Sequence, residues 1–151
     1  MSWRLYSDPF QHAAIAAFVA SPLGRRAALT ASAAAVAIDV DHAVAARSLK
    51  VHALTGLDAR PPTHSLVAAL AAGALVGSKD RAQGWATFSG LASHLLHDAG
   101  DTAAPTPILW PVRPARQLGR RPQLIGTAAL FAISCAYAGR ARRRTASARS
   151  S

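Results

Sequence analysis

The sequence predicts an all-α protein of about five helices packed as a bundle that is partly embedded in a membrane or associated with one. Alanine and leucine dominate the 151 residues and β-branched residues are few, which favours helix almost throughout. No alternation of apolar and polar residues persists long enough to indicate a strand. Hydrophobic residues make up 51% of the chain, and several weakly apolar stretches are visible.

Breaks between these stretches place the first three helices. Asp8 is a good helix cap and Pro9 suits a first turn, so helix one is expected to begin there and to end near Ala20, before a Ser-Pro-Leu-Gly break. Helix two covers about 26–48. A loop rich in glycine and proline then leads to Thr63, the expected cap of helix three.

The second half of the chain has two further helices. A Gly-Ser-Lys-Asp break precedes helix four, about 81–99, and the segment 100–121 contains four prolines and is expected to be irregular. Helix five, 123–139, opens just after a proline. The chain thus divides into one helical domain, 1–139, and a basic tail, 140–151, that is expected to be disordered.

The charge-free stretch 122–139 is the best candidate for a membrane span, at about 18 residues, while 27–38 is too short to span alone. An arginine run at 142–144 follows it closely. Under the positive-inside rule, this run predicts a cytoplasmic C-terminal tail, while Arg116, Arg120 and Arg121 flank the other end of the stretch and weaken that prediction. The N-terminus has no basic region followed by an apolar core, so no cleavable signal peptide is evident.

The formal net charge of +10 indicates a polyanionic partner, such as an acidic membrane surface or a phosphorylated substrate. Nucleic acid is not favoured, because no aromatic residues are interleaved with the arginines of the tail to stack on bases. The chain has no glutamate, and its seven acids are all aspartates. Four of them lie in just two motifs that also contain histidine.

The first of these motifs lies on helix four. His94, His97, Asp98 and Asp101 fall within about 100° of one another on a helix, so two imidazoles and two carboxylates project from one face. A helix that only packs would not carry four groups there that are costly to desolvate. Metal coordination is the simplest chemistry that explains them.

Other histidines lie in shorter motifs. In Asp39-Val40-Asp41-His42, the first and last residues share a helix face, while Asp41 points elsewhere or lies at a local distortion. The plainer interpretation, a helix end that emerges into water, is an open alternative. His64, in Thr-His-Ser, and His12 would each, taken alone, more often be a cap or core residue than a ligand.

The order of the motifs resembles the membrane-bound metal-dependent hydrolase family (YdjM-type, LexA-binding inner-membrane hydrolases). The resemblance covers roughly residues 10–113. Each motif is short, but four in the right order are a fairly specific signal. The matching motifs are Asp39-Val40-Asp41-His42, Arg60-Pro61-Pro62-Thr63-His64-Ser65, Ser93-His94 with Asp98, and Pro107-Ile108-Leu109-Trp110-Pro111.

More distantly, the spacing is similar to that of the all-helical zinc-dependent phospholipases C and zinc nucleases. The resemblance implies a site for one or two divalent ions, with zinc first and manganese or magnesium as alternatives. It casts His94 and Asp98 as ligands from one helix, Asp98 bridging two ions. The candidate metal ligands are His12, Asp39, Asp41, His42, His64, His94 and Asp98.

Three departures from the family pattern bear on activity. The family usually has a histidine where this chain has Ala59, and Gly-Phe where it has Pro61-Pro62. After Asp98 the usual Leu-Thr-Pro is replaced by Gly-Asp-Thr. The missing histidine removes a ligand or proton donor, and a weakened or altered activity is one expectation.

Two hypotheses follow. The first is a hydrolase that acts on a phosphoester through a metal-activated water, with Asp41 or Asp101 as proton acceptor and Arg60 stabilising phosphate charge. The alternative, motivated by Ala59, is a non-catalytic membrane-associated protein that binds metal for structure or regulation.

Overall fold

The chain is all-α, as the sequence predicts. The computed structural model describes residues 4–48, 50, 60–101 and 105–150. Within these residues there is no strand, and the extended pairing is one isolated bridge between Thr106 and Arg116. The helices are α1 (Arg4–Ala20), α2 (Arg25–Ala37), α3 (Val40–Ala46), α4 (Leu66–Gly77), α5 (Arg81–Asp101) and α6 (Arg120–Ser150).

The first two predicted helices exist, but their bounds differ from those expected. Helix α1 begins at Arg4, so that Pro9 lies inside the helix and not at its start. The helix expected over 26–48 is interrupted by a turn at Ile38 and Asp39, which divides it into α2 and α3. Because α3 continues α2 after this turn, the two count as one of the five expected helical units.

Two later boundaries also differ. The cap of α4 is Ser65, whose hydroxyl accepts a hydrogen bond from the Ala68 amide at 3.3 Å, and not Thr63. The hydroxyl of Thr63 instead donates to the Asp41 carboxylate. Helix α6 continues past 139 to Ser150, so the basic residues expected in a disordered tail are helical in the structure. The predicted loop over 51–59 lies outside the described residues.

Helix α5 is the centre of the bundle and packs against α1, α2, α4 and α6. The core around it is built from small side chains: one buried cluster consists of Ala16, Ala20, Ala27, Ala31, Ala35 and Ala86. Small residues allow helix backbones to approach closely, as is common between membrane helices. At the tightest crossing, a Cβ atom added to Gly84 would overlap the backbone of Gly77.

Helices α5 and α6 run antiparallel. Near the start of α5, the Trp85 indole donates a hydrogen bond to the Ser134 hydroxyl at 2.8 Å. Near the end of α5, Gly100 lies directly against the Gln123 side chain. The bundle therefore has two distinct ends: the tail end, where α5 begins and α6 reaches its arginines, and the opposite end, where α5 finishes.

Two helical stretches, Arg25–Ala46 and Arg120–Ala148, are long and apolar enough to cross a membrane. The first is longer than the 27–38 stretch considered too short alone, because α3 extends α2. Only 11% of the most apolar window of the second is buried. Its exposed residues include Leu124 and Ile125, which would face lipid more favourably than water.

The close crossing of α4 and α5 can be tested with a matched pair of substitutions. Gly84→Ala adds a Cβ where backbone atoms already lie, and should destabilise the protein by about 1–3 kcal/mol. Gly139→Ala adds the same atom where nothing lies within 4 Å, and should be neutral or slightly stabilising. Thermal unfolding in detergent measures both. Equal midpoints for the two variants would contradict the packing described.

Candidate metal centre

The end of the bundle at which α5 finishes collects imidazole and carboxylate groups from several segments. Each of the predicted ligands belongs to at least one group of three whose ligand atoms lie within 4.8 Å of one another. His94 belongs to two of the three groups and His64 to another two, so the groups join into one continuous cluster. Its members are His12 from α1, Asp39 from the turn before α3, Asp41 and His42 from α3, His64 from the loop before α4, and His94 and Asp98 from α5.

Four atoms converge at the centre of this cluster. The Nε2 atoms of His64 and His94 are 3.3 Å apart. Asp39 Oδ1 lies 3.6 Å from the first and 3.4 Å from the second, and Asp98 Oδ2 lies 3.7 and 3.4 Å from them. A tetrahedron of ligands about 2.0–2.1 Å from a central zinc ion has edges of about 3.3–3.4 Å. Five of the six edges of a tetrahedron formed by these donors are thus 3.3–3.7 Å long, close to the value for zinc, and imidazole and carboxylate are donors that zinc accepts.

The break between α2 and α3 explains how both aspartates reach the cluster. On an unbroken helix Asp39 and Asp41 would point in directions about 200° apart. The turn at Ile38 and Asp39 changes the helix path, so Asp39 reaches the central atoms while Asp41 reaches the outer side of His64. The sequence left open whether Asp41 points elsewhere or lies at a distortion; the turn lies at Ile38 and Asp39, and Asp41 itself is helical.

Asp41 contacts the ring nitrogen of His64 that does not face the centre. Its Oδ2 lies 2.9 Å from His64 Nδ1, and it also accepts a hydrogen bond from the Thr63 hydroxyl. This contact fixes the ring so that Nε2 faces the central atoms, as carboxylates do behind metal-ligating histidines. Burial by itself lowers the pKa of His64, but hydrogen bonds with Asp39 and Asp41 outweigh it and raise the pKa to about 9.

Arg60 lies within the cluster rather than in solvent. Its Nε is 3.1 Å from Asp98 Oδ2, and its Nη1 is 3.1 Å from His42 Nε2. Because a guanidinium only donates, His42 Nε2 accepts this hydrogen bond, and the other nitrogen of the ring lies 3.5 Å from Asp39 Oδ1. His42 therefore contacts Arg60 through one ring nitrogen and one of the four central atoms, Asp39 Oδ1, through the other.

His12 lies on the far side of Asp98. Its Nε2 is 3.5 Å from Asp98 Oδ1, and its ring stacks on that of His94 with centroids 3.8 Å apart. The two oxygens of Asp98 thus face opposite sides, towards His12 and towards the central atoms. His97 meets the edge of the His12 ring at 4.7 Å, and its Nδ1 lies 2.9 Å from the Gln123 amide nitrogen.

Gln123 was not identified from the sequence. It is buried at the start of α6 and ties that helix to the edge of the cluster through His97. The signal in the sequence is that Gln123 is a polar, uncharged residue directly before the apolar stretch of α6. The side chain of Asp101, the other predicted proton acceptor, lies outside the described residues, as does Ala59.

The segment with the Ile-Leu-Trp-Pro motif positions the loop that carries His64. The Leu66 amide donates to the Ile108 carbonyl at 2.9 Å, and the Arg60 amide donates to the Pro105 carbonyl at 3.2 Å. Trp110 itself is 45% exposed. The backbone of the motif, at Ile108, therefore holds the Leu66 end of the segment, while Pro105, which precedes the motif, holds the Arg60 end.

The cluster is open on one side. Asp39 is 32% exposed, while the side chains of His64, His94 and Asp98 are almost completely buried. A neighbouring groove of about 400 Å³ runs between α2, α4 and α5, and Asp41 and Thr63 line its edge. A small molecule would therefore reach the cluster from the side of α3.

The fold and the cluster together define a class: an all-helical membrane protein with a buried group of histidines and aspartates at one end of its bundle. Comparison with protein families is consistent with this class. The model of the YdjM inner membrane protein family matches residues 8–149, and the chain belongs to this family. Searches of curated proteins and of solved structures found no significant match.

The raised pKa of His64 predicts how the stability of the metal-free protein depends on pH. The protonated ring stabilises the fold fully below the unfolded pKa of about 6.5, and this contribution is lost as pH rises through about 9. The thermal midpoint should therefore fall between pH 6.5 and 9. His64→Gln should reduce this fall, and an unchanged fall in the variant would contradict the assignment.

Proposed function

We propose that this protein is a membrane-bound metal-dependent hydrolase that acts on a phosphoester. The observation that carries the proposal is the convergence of His64, His94, Asp39 and Asp98 at spacings of 3.3–3.7 Å, next to the guanidinium of Arg60. Two neutral nitrogens and two carboxylate oxygens suit zinc, and manganese or magnesium are less suited because they prefer oxygen ligands.

The four central residues would hold one ion, and His12 with the outer oxygen of Asp98 offers the start of a second site. A bound divalent ion would supply Lewis acidity and make a water molecule nucleophilic near neutral pH. Asp41 acts here through His64, whose ring it orients, and therefore serves better as a positioning residue than as a ligand. Its Oδ1 is buried and has no hydrogen-bond partner among the described residues, and its role as a proton acceptor stays a prediction.

Arg60 is the candidate for binding the phosphoryl group. It is 16% exposed and lies at the edge of the cluster, between His42 and Asp98. Two of its nitrogens are already directed by these partners, which limits the orientations of the guanidinium. A planar, fixed guanidinium binds phosphate oxygens bidentately and offsets the charge that develops on them.

One observation favours the non-catalytic alternative. Four protein donors complete a tetrahedron, and closed sites of this kind are typically structural, whereas catalytic zinc keeps a position for water. The exposure of Asp39 favours catalysis, since the most exposed donor is the one that water or substrate can displace. Metal content and hydrolysis must therefore be measured on the same preparations.

Metal content tests the ligand set. Wild type purified without chelator should contain one to two equivalents of divalent metal by plasma mass spectrometry, and His94→Ala and Asp98→Asn should lose most of it. His97→Ala is the matched control, because this neighbouring buried histidine of α5 does not belong to any of the ligand groups. Wild type without metal, or equal loss in His97→Ala, would contradict the proposal.

Hydrolysis separates the two functions. With phosphodiester and phosphomonoester probes, Arg60→Gln should lower kcat/KM by about 10²-fold while it keeps its metal, because a donor to the developing charge is lost. Loss of metal in Asp98→Asn should abolish activity. Metal-loaded wild type with no activity towards either class of probe would support the structural alternative and refute the enzyme.

The orientation in the membrane follows from the two ends of the bundle. The tail end includes the acid Asp80 and a larger number of cations. These cations are Arg25, Arg26, Lys79, Arg81, Arg140, Arg142, Arg143 and Arg144. The opposite end contains the aspartates of the cluster, but also Arg47, Arg60, Arg113, Arg116, Arg120 and Arg121. The tail end has only a small excess of cations, and by the positive-inside rule this excess favours a cytoplasmic tail. The antiparallel packing of α5 and α6 would then put the metal centre at the other face of the membrane.

Cysteine labelling tests this orientation. The background for both variants is Cys135→Ser. Val112 lies at the opposite end of the bundle, and its side chain is 84% exposed. Val112→Cys should therefore react with a membrane-impermeant maleimide in intact spheroplasts. Ala146→Cys near the end of α6 should react only after the membrane is permeabilised. The reverse pattern would refute the proposed orientation.

A further inference from the structure

The tail end of the bundle, away from the metal centre, has two adjoining cavities. One, of about 470 Å³, lies between the start of α5 and the last part of α6, and is lined by Arg81, Tyr137, Arg140, Ala141 and Arg144. The other, of about 610 Å³, lies between α4, α5 and α6. Arg81 and Tyr137 line both cavities, so the two form one continuous surface.

The first cavity is a concentration of positive charge. Three arginines from two helices line it, and none of its lining residues is acidic. The acid nearest in sequence, Asp80, is engaged elsewhere: its Oδ1 accepts hydrogen bonds from the amides of the first turn of α5, and its Oδ2 lies 3.9 Å from Arg26. Such a cavity offers a phosphate group several charge-assisted hydrogen bonds.

The second cavity is apolar. Its walls include Leu70, Gly73, Gly84, Trp85 and Phe88, and the glycines keep its floor close to the helix backbones. Arg81 and Ser78 lie at the end where it meets the arginine cavity. Tyr137 stands at the junction, and tyrosine rings commonly occupy the boundary between the apolar and polar layers of a membrane.

We infer that this surface binds one anionic phospholipid, with its phosphate held by Arg81, Arg140 and Arg144 and an acyl chain in the apolar groove beside Trp85. Charge complementarity selects the headgroup, because a zwitterionic lipid carries a cation that would be placed beside three arginines. Basic pockets between membrane helices on the cytoplasmic side bind anionic headgroups in this way. The site is separate from the metal centre and does not depend on its activity.

Trp85 provides a direct readout, because a brominated acyl chain quenches the fluorescence of an indole that it touches. The full-length protein in detergent, with Trp3→Phe and Trp110→Phe, is titrated with brominated phosphatidylglycerol and with brominated phosphatidylcholine. Phosphatidylglycerol should quench Trp85 at a concentration at least tenfold lower. Equal quenching by the two lipids would overturn the inference, because the groove would then be unselective.

A matched pair of variants tests the headgroup contact. Arg81→Gln and Arg144→Gln should each remove most of the preference for phosphatidylglycerol. Arg25→Gln removes the same charge from an exposed arginine at the same end, but one that lines a different cavity, and should leave the preference unchanged. An equal loss in Arg25→Gln would overturn the site, since binding would then follow net charge alone.

Two other occupants give distinct results. If the ligand is a free phosphate compound, glycerol 3-phosphate at millimolar concentration should relieve the quenching as well as unlabelled phosphatidylglycerol does. If a second copy of the chain covers the groove, quenching should be absent in dimers and appear only on dissociation. Either result would overturn the assignment to phospholipid, whereas displacement by phosphatidylglycerol alone would support it.

Discussion

The convergence of two imidazole nitrogens and two carboxylate oxygens is the constraint on which the rest of the structure depends. His64, His94, Asp39 and Asp98 come from three separate segments, and each imidazole Nε2 lies within 3.7 Å of the other and of an oxygen of both carboxylates in a largely buried space. Groups of this kind are costly to bury unless each is neutralised by a partner or by a cation. The helices must therefore meet with little tolerance, which explains a core built from alanine and glycine.

The contacts around the centre separate residues that orient their neighbours from those that could bind an ion directly. Asp41 contacts the outer nitrogen of His64, and His42 contacts both Arg60 and the central oxygen of Asp39, so each of these groups orients a neighbour. Gln123 and His97 form a similar link from α6. An all-helical bundle with few large core residues gains its specificity from such directional contacts, because alanine packing alone defines helix register poorly.

Much of the fold and part of the site could be predicted from the sequence. The pairing of His94 and Asp98 follows from helical spacing, and the helices follow from alanine-rich stretches separated by glycine and proline. The separation of ligands from supporting residues could not be predicted, because it depends on the turn at Asp39, a tertiary feature with no local breaker. The prediction that Thr63 caps α4 was wrong for a related reason. The Thr63 hydroxyl donates to Asp41, and Ser65 caps the helix instead.

The unbroken helix α5 has a consequence for distances within the membrane. Arg81 opens this helix and Asp98 lies near its end, about 25 Å away at 1.5 Å per residue, which is close to the hydrocarbon thickness of about 30 Å. The length of α5 therefore fixes the distance between the two ends of the bundle. The helix is continuous between these points. The depth of its first turn among the headgroups of one leaflet therefore also determines the position of the histidine cluster relative to the other leaflet.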